Sequence, residues 1–249
     1  GIGRIRFPAA ALLLLALLVP GQAGAFQYQW DIRAMAAANA DVIALRDKRR
    51  KVIARVPARQ MRVLYAVKTA IEKVAELEVE FILVDGDAPN AFAGQARGDV
   101  DVIGLNLAML DLLGMDVHAM AAMIGHEIAH LKLHHPDRGK QRAVGTGIAR
   151  VLGGAVLGSL GVPAGQMLSD LAFTAIETKY SRDDERQADY LGAIWAVEAG
   201  FEVDGAVRLH TAIWERSKGQ PTPFMSTHPS GPERISTLKG LAARLGRDG

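Results

Sequence analysis

Two histidines, His126 and His130, stand four residues apart in a stretch that is otherwise largely apolar, with Met120, Met123, Ile124, Ile128 and Leu131 around them. The apolar spacing predicts a helix over 117–133. At about 100° per residue, positions i and i+4 lie roughly 40° apart, one turn along the same helix face. A helix that buries its apolar residues also buries these imidazoles, and a buried imidazole needs a polar partner. A shared metal ion is one such partner, because two imidazoles so placed both reach a single Zn²⁺ at about 2.0–2.1 Å. Glu127 completes the pattern H-E-x-x-H. It lies about 100° round from His126, where it flanks a metal rather than binding it, the place for a general base acting on water.

A catalytic zinc takes three protein ligands and keeps one position open. Residues Leu133 to Arg138 offer no suitably placed third ligand, which excludes the H-x-x-H extension of the metzincins. His134 and His135, crowded at the helix end before Pro136, read as solvated or capping groups. The stretch Ser181-Arg182-Asp183-Asp184-Glu185-Arg186-Gln187-Ala188-Asp189 predicts a second helix, with Ser181 as N-cap and acids in the first turn. Glu185 and Asp189 share a face. One reading has Glu185 completing the zinc shell while Asp189 accepts a hydrogen bond from a ligand imidazole and sets its tautomer. A solvated charge run with i,i+4 pairs fits the same spacing equally well.

The rest of the chain narrows the alternatives. None of its 249 residues is cysteine, so disulfides, thiolate metal sites and a cysteine nucleophile are excluded. Arg4 and Arg6 precede an apolar run from Ala9 to Val19, which Pro20 and Gly21 break before Ala23-Gly24-Ala25. The run is too short to span a bilayer as a helix and reads as a secretory signal over residues 1–25, cleaved after Ala25. Residues 26–249 then hold 27 basic and 27 acidic side chains, a balance that argues against nucleic acid as the partner.

Within this remainder, Trp30 to Ala54 shows apolar residues at helical spacing (Ile32, Met35, Val42, Ile43, Leu45), with a basic patch from Arg46 to Arg55. A second helical pattern runs from Met61 to Glu76. Alternation from Leu77 to Val84 predicts a strand, Asp85 to Asn90 a turn, and Val100 to Leu105 a further strand. Helical patterns then continue almost to the end. The glycine-rich stretch Gly145–Gly165 is interrupted by Pro163 and reads as a partly buried helical hairpin rather than a membrane span, leaving peripheral membrane association open. With no internal repeat and no long linker, residues 26–249 are expected to form a single α+β domain, mostly helical.

Four blocks in order carry a resemblance to a known family: Asn90-Ala91-Phe92-Ala93, Gly125–His130, Ser181–Asp189, and Ser226-Thr227-His228-Pro229 leading to Arg234-Ile235. Together they resemble the HtpX-like zinc metalloproteases, in particular their soluble periplasmic, BepA/LoiP-like branch. The resemblance implies a gluzincin-type domain with a small β-sheet beside the active-site helix. It implies one zinc ion held by His126, His130 and Glu185, with Glu127 as base and Asp189 behind a ligand. His228 and Arg234 are implied near the metal as catalytic residues, either one stabilising the oxyanion, with His228 alternatively filling the fourth zinc position in a latent state. Asn90, Ala91, Phe92 and Ala93 are implied at the sheet edge where substrate binds. Here Gly94 to Asp99 follows, where the family usually has a Pro-Gly-Gly-like turn. The implied activity is endopeptidase cleavage of exported, misfolded or unassembled envelope polypeptides in the bacterial periplasm. The rival expectation is a zinc-stabilised, chaperone-like binding module whose site His228 closes.

Overall fold

Residues 27–47, 49–96, 99–137 and 179–246 are described by a computed structural model. The expected signal segment and the Gly145–Gly165 stretch lie outside the described residues. The chain opens with a short strand β1 (Gln29–Asp31) and a five-residue helix α1 (Ile32–Ala36), followed by the antiparallel pair β2 (Val42–Arg46) and β3 (Val52–Pro57). The continuous helical spacing expected over Trp30–Ala54 is therefore corrected. Ile32 and Met35 belong to α1, whereas Ile43 and Leu45 are two apart and point to the buried face of β2. Between the strands, Asp47 Oδ1 accepts from the Lys51 N–H at 2.8 Å and Arg50 adopts φ 64°, which closes the turn.

Helix α2 (Ala58–Ala75) matches the predicted second helix and buries Met61, Leu64, Val67, Ile71 and Ala75 along one stripe. Strands β4 (Glu80–Val84), β5 (Ala91–Ala96) and β6 (Val100–Asn106) join β1 in a four-stranded sheet of order β1-β4-β6-β5. The β4–β6 pair is parallel; β1–β4 and β5–β6 are antiparallel. The strand expected over Leu77–Val84 is β4, and within it Phe81 to Val84 are all buried. Phe81 and Leu83 enter the main core, while Ile82 and Val84 pack with Ala96 and Val102 on the other side. Strand β5 forms one edge of this sheet and carries Ala91, Phe92 and Ala93, paired with Leu105, Gly104 and Ile103.

After α3 (Leu107–Leu113) comes α4 (Val117–Lys132), whose residues from Ala119 to Leu131 are all buried. A helix buried all round forms the centre of a core rather than its skin, and α4 packs against α2 and β5. Asp116 caps its N-terminus, accepting from the His118 and Ala119 N–H groups at 3.0 Å. The described chain resumes before α5 (Arg182–Glu198), followed by α6 (Gly205–Ser217), the five-residue α7 (Pro223–Thr227) and α8 (Pro232–Leu245). Helix α5 crosses α4 at Gly125 and Gly192. A Cβ on Gly192 would lie 2.7 Å from the His126 nitrogen, so only glycine admits this approach. The contact sets the first turns of α5 against the histidine-bearing face of α4.

No helix among the described residues is long and apolar enough to cross a membrane.

Candidate metal centre

Two helices and one loop residue bring four donors together. His126 and His130 come from α4, Glu185 from the first turn of α5, and His228 from the position that ends α7. All four are buried, and one ligand atom from each lies within 4.8 Å of the others. His126 Nε2 is 2.9 Å from His130 Nε2 and 3.2 Å from His228 Nδ1. Glu185 Oε1 is 3.3 Å from His130 Nε2 and 3.0 Å from His228 Nδ1. Four ligands at about 2.0–2.1 Å in a tetrahedron stand about 3.3 Å apart, so these edges match a zinc shell. Three imidazoles and one carboxylate are also a zinc-type donor set.

The local sequence explains how each donor is aimed. Ser181 caps α5 through a capping box, its Oγ accepting from the Asp184 N–H at 3.1 Å while Asp184 Oδ2 accepts from the Ser181 N–H at 3.0 Å. The next residue, Glu185, thereby starts a fixed helix and faces α4. Thr222 caps α7, and the His228 N–H donates to the Phe224 carbonyl at 2.7 Å. The Phe224 ring also stacks on His228, with centroids 4.6 Å apart. Position and ring plane of His228 are thus both determined.

Glu127 is completely buried beside this cluster, and neither of its carboxylate oxygens has a hydrogen-bond partner among the described residues. Its Oε1 lies 3.5 Å from His228 Nε2. Burial pushes the Glu127 carboxyl above its ordinary range, against the pull of His228 and His126. For Glu185, burial works in the same upward direction, but His228, His126 and Arg234 outweigh it and hold the group well below the usual carboxylate range. Burial lowers His130. It opposes charge on His228 too, yet the Glu185 and Glu127 carboxylates prevail and raise that imidazole.

Behind the donors, His126 Nδ1 meets Asp189 Oδ1 at 3.0 Å. Arg234 donates to Asp189 through Nε at 3.1 Å and Nη2 at 2.7 Å, and through Nη1 to Glu185 and to the Pro229 carbonyl. Arg234 is therefore near the cluster, as the resemblance implied, but its guanidinium is engaged by two carboxylates and a carbonyl. Asp189 is drawn far down by this guanidinium and by His126, although its burial acts the other way. Glu185 and Asp189, for which spacing left a solvated charge run open as an alternative, are the most enclosed acids of α5 after Asp184.

Residues Ala91 to Ala93 sit on the edge strand, which packs against α4, and Asn90 just precedes it, its carbonyl accepting from the Asn106 N–H at 3.0 Å. The strand runs on to Ala96, so Gly94 to Ala96 prolong the edge instead of turning away from it. Three residues near the cluster carried no spacing signal. The Tyr180 ring stacks on His130 at 3.7 Å, and His210 is buried with its Nδ1 2.9 Å from Ser230 Oγ. His135, expected at the surface or on a cap, is fully buried with its ring against His130. Only His134 is exposed, as expected of both.

The profile of peptidase family M48 matches residues 57–242, a span that holds all four donors, Glu127, Asp189 and Arg234. The chain belongs to peptidase family M48. Among its relatives, "Metalloprotease LoiP" of Escherichia coli (strain K12) is 26% identical over 160 residues, covering 64% of this chain and 60% of LoiP. "Metalloprotease YcaL" of the same strain is 27% identical over 154 residues, 62% of this chain and 58% of YcaL. "Mitochondrial metalloendopeptidase OMA1" of Schizosaccharomyces pombe is 28% identical over 176 residues, 68% of this chain and 48% of OMA1. The chain thus spans about half to three fifths of the length of these relatives. The M48 metal is zinc, and the donor cluster fits it.

Proposed function

We propose that this M48 chain is a zinc-dependent endopeptidase in which His126, His130 and Glu185 hold the metal and Glu127 is the general base. The observation that carries the reading is Glu127, a buried carboxylate with no hydrogen-bond partner among the described residues, placed beside four convergent metal donors. A buried carboxylate without a hydrogen bond is costly, and catalysis is a reason to keep one. Zinc bound here would supply a Lewis acid that polarises the scissile carbonyl and makes water easier to deprotonate. Glu127 takes the proton of the attacking water and passes it to the leaving amine; its raised pKa makes it a better base than an exposed glutamate. Asp189 and Arg234 act by orientation: Asp189 keeps the His126 proton on Nδ1, and Arg234 fixes Asp189 and Glu185 in place.

The edge strand β5 supports binding of an extended polypeptide through main-chain hydrogen bonds, with Asn90 to Ala93 nearest its start. Such binding reads backbone more than side chains and suits unfolded substrates, in this proposal misfolded or unassembled envelope proteins in the periplasm. The Glu127→Gln variant tests the assignment. It should retain one zinc per chain and lose casein cleavage by a factor of about 10²–10⁴; full cleavage by this variant would remove Glu127 from the role.

A second reading rests on one observation, the presence of His228 Nδ1 among the donors. Four protein ligands close a zinc site. In that reading the chain is a zinc-stabilised module that holds unfolded polypeptides without cutting them.

A further inference from the structure

The outer nitrogen of His130 faces a residue that has no part in the chemistry above. His130 Nδ1 lies 2.9 Å from Nδ1 of His135. The other nitrogen of His135, Nε2, is 3.4 Å from Gln187 Oε1 and 3.7 Å from Asp184 Oδ1, both on α5. The backbone takes an uncommon course to place this ring. Helix α4 stops at Lys132, and His134 adopts φ 54°, the left-handed region, with its own side chain in solvent. The reversal at His134 turns the following residue back into the core, where the His135 side chain is 0% exposed.

One assignment of protons satisfies these contacts together. His130 Nε2 points into the donor cluster, so with a metal held there its proton resides on Nδ1 and is donated to His135 Nδ1. His135 then carries its own proton on Nε2, facing the two acceptor oxygens of α5. Asp184 is also the residue that closes the Ser181 capping box, immediately before Glu185. Both metal-facing imidazoles of α4 are thereby braced against α5: His126 through the Asp189 carboxylate, His130 through a second imidazole.

We propose that His135 is a positioning residue for the metal site. It holds the His130 ring in the orientation and tautomer that leave Nε2 for the metal, and it ties the end of α4 to the turn that presents Glu185. This inference rests on the zinc reading of the cluster.

The test is zinc affinity of the purified chain, measured by competition with a chromophoric chelator, together with the visible spectrum of the Co²⁺-substituted protein. His135→Ala should weaken zinc binding about 10–100-fold and shift the Co²⁺ bands, as loss of an outer ligand partner does. His135→Asn places an amide oxygen near the former Nδ1 and should recover most of the affinity. His135→Gln reaches toward the Nε2 end instead and should not. Equal zinc binding by the Asn and Gln variants would overturn the proposal even if the Ala variant proved unstable, and so would a folded Ala variant that binds as tightly as the wild type. A wild-type chain that binds no zinc would overturn the metal reading itself, an outcome distinct from normal zinc binding with an indifferent His135.

Discussion

His228 Nε2 faces Glu127 Oε1 at 3.5 Å, while the other nitrogen of the same ring stands among the metal donors. In the closed-site reading this imidazole would take the position that a catalytic zinc leaves open and would shield the base as well. Removing the ring with His228→Ala should leave three ligands and open the fourth position. Hydrolysis of fluorescein-labelled casein is expected to rise, with zinc still bound. A fall in hydrolysis with zinc retained would instead give His228 a direct part in turnover.

Arg234 joins Asp189 and Glu185, and all three side chains are at most 10% exposed. Deleting the cation leaves two buried carboxylates without their partner. Arg234→Ala should cost the metal-free protein about 3–5 kcal/mol, the range for breaking one side of a buried ion pair. Arg234→Lys keeps the charge but not the planar fork that spans both acids, so its loss should be intermediate. Urea unfolding of the metal-free variants measures both.

Gly192 fixes how closely α5 approaches α4. A methyl group there would meet the His126 nitrogen at 2.7 Å and the Gly125 carbonyl carbon at 2.8 Å, both rigid helix backbone. Gly192→Ala must push the helices apart and should cost about 1–3 kcal/mol. Because Glu185 and Asp189 ride on α5, zinc affinity should fall with stability. Thermal melts paired with zinc titration check that the two losses go together.

Asp116 couples the start of α4 to α6, accepting two helix N–H groups and pairing with Arg208 Nε at 2.9 Å. Burial works against its charge, but Arg208 and the helix N–H groups prevail and hold the carboxyl below its ordinary value. A depressed pKa stabilises the fold above the unfolded value near 3.9, and that contribution disappears as pH falls through the folded value. Asp116→Ala should therefore lower stability by about 1–2 kcal/mol at pH 7, with the gap narrowing toward pH 3. Melting curves of both proteins at the two pH values give the difference.

The parts of the site that were legible from sequence are those written in local rules. Helical spacing alone puts His126 and His130 on one face, and Ser181 as N-cap with acids in the first turn marks where α5 begins. Glu185 could not be separated from a solvated charge run by spacing, because enclosure depends on the Gly125–Gly192 crossing with a helix some sixty residues away in sequence. His228 was reached only through the family resemblance: its place is determined by a five-residue helix and by the ring of Phe224. His135 was misread since neighbouring histidines at a helix end look alike until one left-handed residue separates them. The stretch from Trp30 to Ala54 went wrong for a related reason, a helix and a hairpin whose apolar residues happen to continue one another's spacing.

The most direct measurement is anomalous diffraction at the zinc edge from crystals of the purified chain. One peak is predicted, about 2.0–2.2 Å from His126 Nε2, His130 Nε2 and a Glu185 carboxylate oxygen, with Glu127 beside it and uncoordinated. Zinc bound elsewhere, or bound here without Glu185, would contradict the account.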